Sequence, residues 1–533
     1  MPIPKSNPSD CNPGPGQTKR KAIRTAVLLL LFALTAYFIY GFIGPYIGDK
    51  QVNNFWQKRF SINEFQTDRR VGPDRIRLLN DQKENYYTFL NAIDSAAGNL
   101  KLVLHKETCG ELSDLSIGAL LTAANRGVKI EILVDGKLKA KQKNCFRHLA
   151  TSPQISIREY APVSLFKPWT YNSRLKDQFL LADDRLAWFS SAGSSDHDYP
   201  SDSENVIKTV ETDTATDNAV ATDHELETAN SFDWNVLIYN SQADSRSSAD
   251  SVLSELSNYF TALWTAERSR PVQPSEKQLS DSQSTQRSDQ EVKSWLSARL
   301  NNRALQSALN NYRLETQPVS HISLLKNPVN DLNKEPYIWF QLSQLMGTAK
   351  NKVNLCTPYL MLSPDMQKDL EQAVNQSGLN VQVITNAAAA SPSFLRAADY
   401  TYNRGQILDT GVRLSEYQEE NGFRGKALLL DDHLTVLGSY DWTLADTYLN
   451  TESVLVIDSP EINESIGEQL AALNQNSLPV KPDGSYLIAA ANSGNIAGDS
   501  DNIEGVAPLQ QNLRQKPLLW GAGLFIQLFR SLL

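Results

Sequence analysis

Histidine, cysteine and positive charge are all scarce in this sequence of 533 residues. Its six histidines and four cysteines show no spacing typical of a metal site, and we expect no bound metal and no cofactor. The formal net charge is −9, whereas a broad nucleic-acid-binding surface needs clustered lysine and arginine against the phosphates. We therefore expect no nucleic-acid partner, although a small basic pocket inside an acidic shell is compatible with this charge.

One hydrophobic run near the N-terminus is long enough to cross a membrane. An uncharged stretch at about 25–48 follows a basic cluster between Lys19 and Arg24, and a helix needs about 20 apolar residues to span a bilayer. No small-x-small cleavage site follows, which favours a retained anchor over a removed signal peptide, with a buried core helix as the alternative. The basic cluster favours a cytoplasmic tail at 1–24 and a periplasmic body at a bacterial-type inner membrane.

The C-terminal region divides into a polar and an apolar part. Residues 476–515 have a low apolar content and predict a loose tail. Residues 516–533 predict a strongly apolar helix that is too short to span a bilayer comfortably. This helix is expected either to lie in the membrane interface or to dock on the body.

The cysteines bear on the compartment of the body. If the body is exported, Cys109 and Cys145 could form a disulfide. Buried free thiols are nevertheless the expectation for these two residues.

Strand and helix patterns alternate in two long stretches of the chain, 75–268 and 298–475. Such alternation indicates an α/β fold with a largely parallel sheet. A Ser/Gln/Asp-rich linker at 269–297 separates the two stretches. Within the first stretch, residues 197–230 are rich in Asp, Glu, Thr and Ser, which predicts a solvated, disordered insertion.

The most informative stretch runs from Gly422 to Glu452. Lys426 directly precedes a predicted buried strand that ends at Asp431, and a second apolar strand ends at Ser439. Two short strands joined at an Asp-Asp turn would bring the charged residues of this stretch near one another. A lysine with carboxylates nearby suits the binding of an anion beside groups that handle protons.

The same pattern occurs a second time upstream. Residues 175–186 align with residues 423–434 without a gap, and Asp183 coincides with Asp431. Repetition at this distance indicates two similar half-domains that each contribute half of a site. The alternative is a pair of unrelated amphipathic strands with Asp-Asp turns.

These motifs resemble those of the phospholipase D superfamily, whose half-site pattern is His-x-Lys-x4-Asp, then Gly-Ser and, in the cardiolipin-synthase-like branch, Asn-Thr-Glu. Lys426 and Asp431 match the Lys and Asp, Gly438-Ser439 the small pair and Asn450-Thr451-Glu452 the end of the pattern. The resemblance covers roughly residues 75–475. It implies a duplicated phospholipase D-like α/β fold, in which two half-domains with mixed sheets pack around a shared site.

The chemistry implied by the resemblance is a two-step phosphodiester transfer. A histidine of one half attacks phosphorus, the histidine of the other half protonates the leaving alkoxide, and lysines neutralise the non-bridging oxygens. Here Lys176 and Arg424 replace the two histidines, and Gln178 replaces one lysine. Asp441 stands near an asparagine position of the family, and Ala445-Asp446 replaces its Arg-Ser. Because arginine is always protonated, it cannot act as nucleophile or base.

The site residues carried over from the family are therefore expected to bind more than to react. The family-equivalent catalytic positions are Lys176, Asp183, Arg424, Lys426, Asp431 and Glu452. The positions expected to contact substrate are Gln178, Arg424, Lys426, Ser439 and Asn450. We expect a cationic pocket, formed by the Lys and Arg residues and ringed by the carboxylates, that binds a phosphate group.

The resemblance leaves several functional hypotheses open. The first is a non-catalytic protein whose partners are anionic phospholipids, the membrane and an active paralogue. The alternative to phosphate binding is that the charged residues form internal salt bridges, which merely replace the lost catalytic contacts. The second is an active phosphatidyltransferase or phospholipase that uses Lys176, with a lowered pKa, or His105. A nuclease is the third and weaker hypothesis, since the charge and the membrane span oppose it.

Overall fold

The structure is a computed structural model. It describes residues 15–46, 48, 50–67, 71–105, 114–137, 140–191, 232–243, 250–274, 282–302, 305, 312–376, 378–391, 393–420, 422–487, 508–509, 516–527 and 530. The predicted insertion at 197–230, most of the predicted tail at 476–515, and Cys109 lie outside these residues.

Two β-sheets form the centre of the described chain. The first contains β1 (Asp74–Leu79), β2 (Asn99–Leu104), β3 (Lys129–Asp135), β4 (Ile155–Tyr160), β5 (Phe179–Ala182), β6 (Leu186–Ser190), β7 (Asn235–Asn240), β8 (Ser269–Pro271) and β9 (Gln317–Pro318). The second contains β10 (His321–Lys326), β11 (Lys352–Cys356), β12 (Asn380–Asn386), β13 (Arg413–Tyr417), β14 (Ala427–Leu430), β15 (Leu434–Gly438), β16 (Ser453–Asp458) and β17 (Ser477–Pro479).

The strand orders of the two sheets correspond. The first sheet runs β8-β4-β3-β2-β5-β6-β7-β1-β9, and the second runs β17-β13-β12-β11-β14-β15-β16-β10. Apart from the added edge strand β9, every strand therefore has a counterpart at the same place. The predicted duplication of an α/β half-domain with a mixed sheet is confirmed.

Parallel pairing is restricted to one run of three strands in each sheet, β2-β3-β4 and β11-β12-β13. The motif strands β5 and β14 begin antiparallel hairpins with β6 and β15. The expectation of a largely parallel sheet was therefore wrong. A short turn such as Asp183-Asp184 lets the chain fold back as an antiparallel neighbouring strand, whereas a parallel neighbour needs a long crossover connection.

Helices cover both sheets, and two of them, Val252–Thr265 and Pro460–Gln475, contribute to the hydrophobic cluster that the two halves share. In the first half they are Gln82–Ser95, Asp114–Asn125, Ala140–Leu149, Val252–Thr265, Ser282–Asn301 and Tyr312–Glu315. In the second half they are Tyr337–Thr348, Pro364–Val374, Phe394–Asp409, Leu444–Tyr448 and Pro460–Gln475. Short 3-10 helices lie at Gly44–Tyr46, Ile62–Glu64, Pro168–Tyr171 and Ala388–Ala390.

Part of the stretch predicted as a linker, 269–297, has regular structure. It starts with β8, which pairs with β4, and it continues into the helix Ser282–Asn301. This helix packs so closely on Asp114–Asn125 that a Cβ at Gly118 would lie 2.2 Å from the carbonyl oxygen of Glu291. The polar composition of the segment concealed an amphipathic helix with one packed side.

The two half-domains share a hydrophobic layer between their sheets. Residues of the first sheet such as Ile76 and Val103 belong to the same buried cluster as Ile322 and Cys356 of the second sheet. Each half also has an outer core under its helices. The shared layer fixes one half against the other and so determines where the ends of their strands meet.

The N-terminal helix, Pro15–Ile43, contains the predicted apolar run. Its segment Ile23–Ile43 has a mean hydropathy of 2.3 and is 6% buried. By length and composition it is the one candidate for a membrane span in the part of the chain that the structure describes. A short helix, Asn54–Gln57, follows it.

The expectation of free thiols was wrong for one of the two cysteines concerned. Cys145 is disulfide-bonded, and its partner lies outside the described residues. Cys356, on β11, is a buried free thiol.

Candidate functional site

The beginnings of the two motifs meet the opposite half-domain. The backbone N–H of Lys176 donates to the carbonyl of Thr451 at 3.2 Å, and Leu175 forms a parallel bridge with Thr451. Likewise, the N–H of Gly425 donates to the carbonyl of Phe232 at 2.7 Å. Each motif therefore begins beside the segment that leads into the last long strand of the other half, β16 or β7.

Lys176, at the first histidine position, is surrounded by carboxylates of the second half. Its Nζ lies 2.6 Å from Asp446, 3.5 Å from Asp441 and 3.7 Å from Glu452. The side chain is only 13% exposed, and those of Asp446 and Glu452 are fully buried. The ammonium group of Lys176 thus pairs with carboxylates of the protein itself, in an ion-paired cluster that joins the two halves.

Burial and neighbouring charges both shift the pKa values of the groups in this cluster. Burial lowers the pKa of Lys176, but the carboxylates, Asp446 foremost, leave it above its ordinary value. Burial raises the pKa of Asp446, but the Lys176 ammonium brings it below its ordinary value. For Glu452, burial and then the charge of Asp446 both raise the pKa, to well above its ordinary value. The environment therefore favours the charged form of the Lys176–Asp446 pair and the protonated form of Glu452.

The two cations of the second motif also face carboxylates. Nη2 of Arg424 lies 3.7 Å from Asp233 of the first half, and Nζ of Lys426 lies 3.6 Å from Asp441. Burial lowers the pKa of Arg424, yet a guanidinium stays protonated in proteins. Both histidine positions therefore carry cations that pair with carboxylates of the opposite half.

The site differs from the predicted cationic pocket because its cations already have acidic partners. Lys176, Arg424 and Lys426 each lie within 4.0 Å of a carboxylate, of Asp446, Asp233 and Asp441 respectively. An anion would have to compete with these partners.

Asp183 and Asp431, expected to ring the pocket, lie at the other end of the motif strands. Asp183 accepts hydrogen bonds from the backbone N–H groups at 97–99, and Asp431 accepts from those at 350–352. Burial raises the pKa of Asp431, but these N–H donors lower it below its ordinary value. A four-residue strand, roughly 13 Å long, separates each turn from its motif cations, and the two aspartates stabilise hairpin turns.

The other expected contact residues are engaged inside the cluster. Ser439 donates to Glu452, and the side-chain amide of Asn450 donates to Asp446 at 2.5 Å. The side-chain oxygen of Asn450 accepts from the backbone of Arg174 at 3.0 Å. Gln178 is 1% exposed. These contacts support the ion pairs and explain why the pairs have a fixed geometry.

Comparison with known proteins matches the second half to a family. Residues 342–473 match the cardiolipin synthase, PLD-like domain. The minor cardiolipin synthase ClsB of Bacillus subtilis (strain 168) is 30% identical over 121 residues, which are 23% of this chain and 29% of that protein. Cardiolipin synthase A of Buchnera aphidicola subsp. Baizongia pistaciae (strain Bp) is 28% identical over 120 residues, which are 22% of this chain and 24% of that protein.

The second half of this chain is thus similar to the cardiolipin synthases of the phospholipase D superfamily. The matches span less than a third of the length of these relatives, and the matched range includes the second motif but not the first. The fold is also that of the phosphatidylserine synthase of Haemophilus influenzae Rd KW20, with a TM-score of 0.53 and 13% identity over 86% of this chain and 95% of that one.

Two residues of this phospholipase D-like site, Asp441 and Asp446, were recognised in the sequence only as departures from the family pattern. Thr443 caps the short helix Leu444–Tyr448 and thereby fixes the direction of Asp446. Asp233, the partner of Arg424, gave no sequence signal. The substitutions would have to be considered as pairs, because each cation at a histidine position is accompanied by an acidic residue that it contacts in the structure.

The second hypothesis requires a histidine near the motifs, and the contacts of His105 and His433 bear on it. Nδ1 of His105 contacts the carbonyl of Leu175, directly before Lys176, and the ring is buried. His433 lies at the hairpin turn, next to Asp432 and Gln66. His197 lies outside the described residues. Among the described residues, no group of His, Cys, Asp and Glu could hold a metal ion.

A small cleft opens beside the ion-paired cluster in the second half. It is lined by Tyr359, Met361, Thr385, Asn386, Arg396 and Tyr400, among others. The guanidinium of Arg396 lies over the ring of Tyr359, at 4.3 Å from its centroid. Arg396 is close enough to influence the pKa of Lys176 and Asp446, so the cleft and the cluster are neighbours.

Proposed function

We propose that this protein is a membrane-anchored phospholipase D-like protein of phospholipid metabolism that no longer catalyses phosphodiester transfer. The observation that carries the proposal is the position of the Lys176 ammonium, 2.6 Å from Asp446 and beside two further carboxyl groups. In this arrangement, ion pairs between the halves take the place of the catalytic contacts.

The charge states oppose catalysis at both histidine positions. A lysine nucleophile must lose its proton, but the net effect of burial and the carboxylates is a raised pKa for Lys176. Arg424 cannot accept a proton at all. The site therefore has no group at these positions that could attack phosphorus and none that could shuttle a proton to a leaving alkoxide.

The same geometry opposes tight phosphate binding at the motif residues. An anion placed against Lys176 would have to displace Asp446, which is fully buried and also accepts a hydrogen bond from Asn450. The partners proposed here are thus the anionic phospholipids of the membrane, at another surface, and an active paralogue.

Anchoring and compartment are part of this proposal. The helix Ile23–Ile43 is long, apolar and almost unburied, which supports an anchor in a bilayer. The disulfide at Cys145 supports an oxidising environment for the body. We infer an inner-membrane protein whose body lies in the periplasm.

The test is a lipid-product assay on the purified full chain in vesicles of phosphatidylglycerol. We expect no cardiolipin and no phosphatidic acid, while an active cardiolipin synthase in the same vesicles forms product. Product that is lost in Lys176→Ala or His105→Ala would overturn the proposal and establish a non-standard nucleophile. The matched control is Lys352→Ala, which removes an exposed lysine at the far end of the motif hairpin.

A further inference from the structure

The C-terminal helix, Lys516–Ile526, docks on the helix Phe394–Asp409. Leu519 and Ile526 are buried against Ala397 and Ala398. A Cβ at Gly523 would lie 2.6 Å from the carbonyl oxygen of Ala398, so only glycine permits this approach. One of the two expectations for the C-terminal helix, docking on the body, is therefore met.

The opposite side of this helix pair remains apolar and exposed. We define the apolar rim as the exposed residues Phe394, Leu395, Leu518, Trp520, Leu524 and Phe525. Phe525 is 64% and Trp520 is 56% exposed. Single exposed apolar residues are ordinary, but a group of six on two packed helices marks an interaction surface.

The apolar rim borders the cleft. Arg396 follows Phe394 and Leu395 in the same helical turn, and its side chain lines the cleft. Lys176, Arg424 and Lys426 all have a carboxylate within 4.0 Å, but Arg396 forms no ion pair with any residue that the structure describes. Its charge is available to an anion that approaches from the rim.

The N-terminal helix, Pro15–Ile43, contacts the body at residues 166–172. The carbonyl of Phe42 accepts a hydrogen bond from the side chain of Asn172 at 2.7 Å, and Tyr37 donates to the carbonyl of Phe166 at 2.7 Å. Phe166 is 80% exposed. Because Tyr37 belongs to the candidate span, the exposed loop at 165–166 lies directly against that span.

A short path of contacts connects this part of the body to the cleft. Trp169, three residues beyond Phe166, packs on the buried cluster that contains Met361. Met361 lines the cleft together with Arg396. The segment that contacts the N-terminal helix is therefore connected to the cleft through Trp169 and Met361.

We propose that the apolar rim lies in the bilayer interface, with Arg396 at the level of the lipid phosphates, so that the cleft opens onto anionic phospholipid. This inference rests on the membrane anchoring in the proposed function. Aromatic and aliphatic residues beside a cation are the composition of interfacial helices, whose binding scales with buried apolar area and with attraction to anionic lipid. A membrane is the favoured occupant because the proposed anchor holds the body at a bilayer and because the rim combines exposed apolar residues with the cation Arg396.

The test uses the full chain in vesicles of phosphatidylglycerol and phosphatidylethanolamine. An environment-sensitive fluorophore is attached at Phe525→Cys or Leu524→Cys, and at Leu314→Cys as the control. Leu314 is 80% exposed and lies on the helix Tyr312–Glu315 of the other half. We expect blue-shifted emission and quenching by lipid-borne quenchers at 524 and 525, and emission typical of water at 314. Emission typical of water at all three sites would overturn the inference.

A second measurement tests the cation. In neutral detergent, Arg396→Gln should weaken phosphatidylglycerol binding by the full chain about fivefold, the contribution of one basic residue at an anionic lipid surface. Arg396→Lys should retain binding, as should Arg413→Gln, which changes an exposed arginine on β13. Equal binding by Arg396→Gln and wild type would refute the role of Arg396. Competition by inorganic phosphate alone would assign the cleft to free phosphate instead of lipid and would likewise overturn the proposal.

Different results would overturn the proposed loss of catalysis and the proposed position of the apolar rim. Cardiolipin formation in the product assay would overturn the loss of catalysis and leave the fluorescence result standing. Emission typical of water at 524 and 525, in protein that makes no product, would overturn the rim proposal alone.

Discussion

Breaking the ion pair between Lys176 and Asp446 should destabilise the body, and the loss should depend on which partner is removed. At 2.6 Å and an effective dielectric constant of about 20, the attraction is roughly 6 kcal/mol before desolvation is subtracted. Removing one partner of a buried pair typically costs about 3–5 kcal/mol, because the other charge stays buried without compensation.

The surrounding carboxylates decide the order of the two losses. Asp446→Asn leaves Lys176 with Asp441 at 3.5 Å, so we expect the lower end, about 3 kcal/mol. Lys176→Met leaves the buried Asp446 without its cation, and we expect the upper end, about 5 kcal/mol. The double variant should recover about 2 kcal/mol or more relative to the sum of the single losses.

Urea unfolding of the detergent-solubilised full chain, followed by circular dichroism, measures these differences if the slope of the transition stays constant. Lys350→Met, which removes an exposed lysine, is the matched control and should change stability by less than about 0.5 kcal/mol. Additive losses in the double variant would refute the coupling, and equal losses in both single variants would refute the role of Asp441.

Three further predictions concern other features of the chain. Because the pKa of Glu452 is raised, the folded state holds an extra proton and loses stability as the pH rises above the unfolded value of about 4.5. Glu452→Gln should make that decline shallower in denaturant titrations between pH 4 and 8, where Asp74 and Asp177 also have raised pKa values, and an unchanged pH profile would contradict the assignment. Asp431→Ala removes an acceptor from three backbone N–H groups and should cost about 2 kcal/mol in unfolding experiments, whereas the exposed Asp432→Ala should cost almost nothing. Cys145 should resist alkylation until the protein is reduced, and labelling of unreduced protein from the intact cell would argue against an oxidising compartment.

The duplicated fold was predictable because its signals are local and occur twice. The gapless match of 175–186 with 423–434 corresponds to two hairpins at equivalent positions in the sheets. An antiparallel return needs only a short turn, so the mixture of parallel and antiparallel pairing could not be derived from helix and strand alternation alone.

The charge of the site could not be predicted, because the residues that set it come from separate segments. Lys176 receives Asp446 from a five-residue helix 270 positions away. Asp183 and Asp431 were assigned to the site because they belong to the same linear motif. A strand separates the ends of that motif in space, which a residue pattern does not express.

The substitutions at this site therefore have to be considered as a set, which leads to a last prediction. Returning both histidines, in K176H/R424H, should not produce cardiolipin in the phosphatidylglycerol assay. The buried Asp446 and Asp441 would remain beside the introduced imidazole at position 176 and would favour its protonated form, which cannot attack phosphorus.

Removing those acids as well, in K176H/R424H with Asp441→Asn and Asp446→Ser, should leave the imidazole neutral at neutral pH. The ring protons of the imidazole introduced at position 176 can be titrated by NMR in both variants, and its pKa is expected to be higher in the variant that keeps the acids. Equal pKa values, or cardiolipin formed by K176H/R424H alone, would show that the carboxylates do not control this site. The loss of the two histidines would then be sufficient to explain the loss of catalysis, and the acids would contribute only to stability.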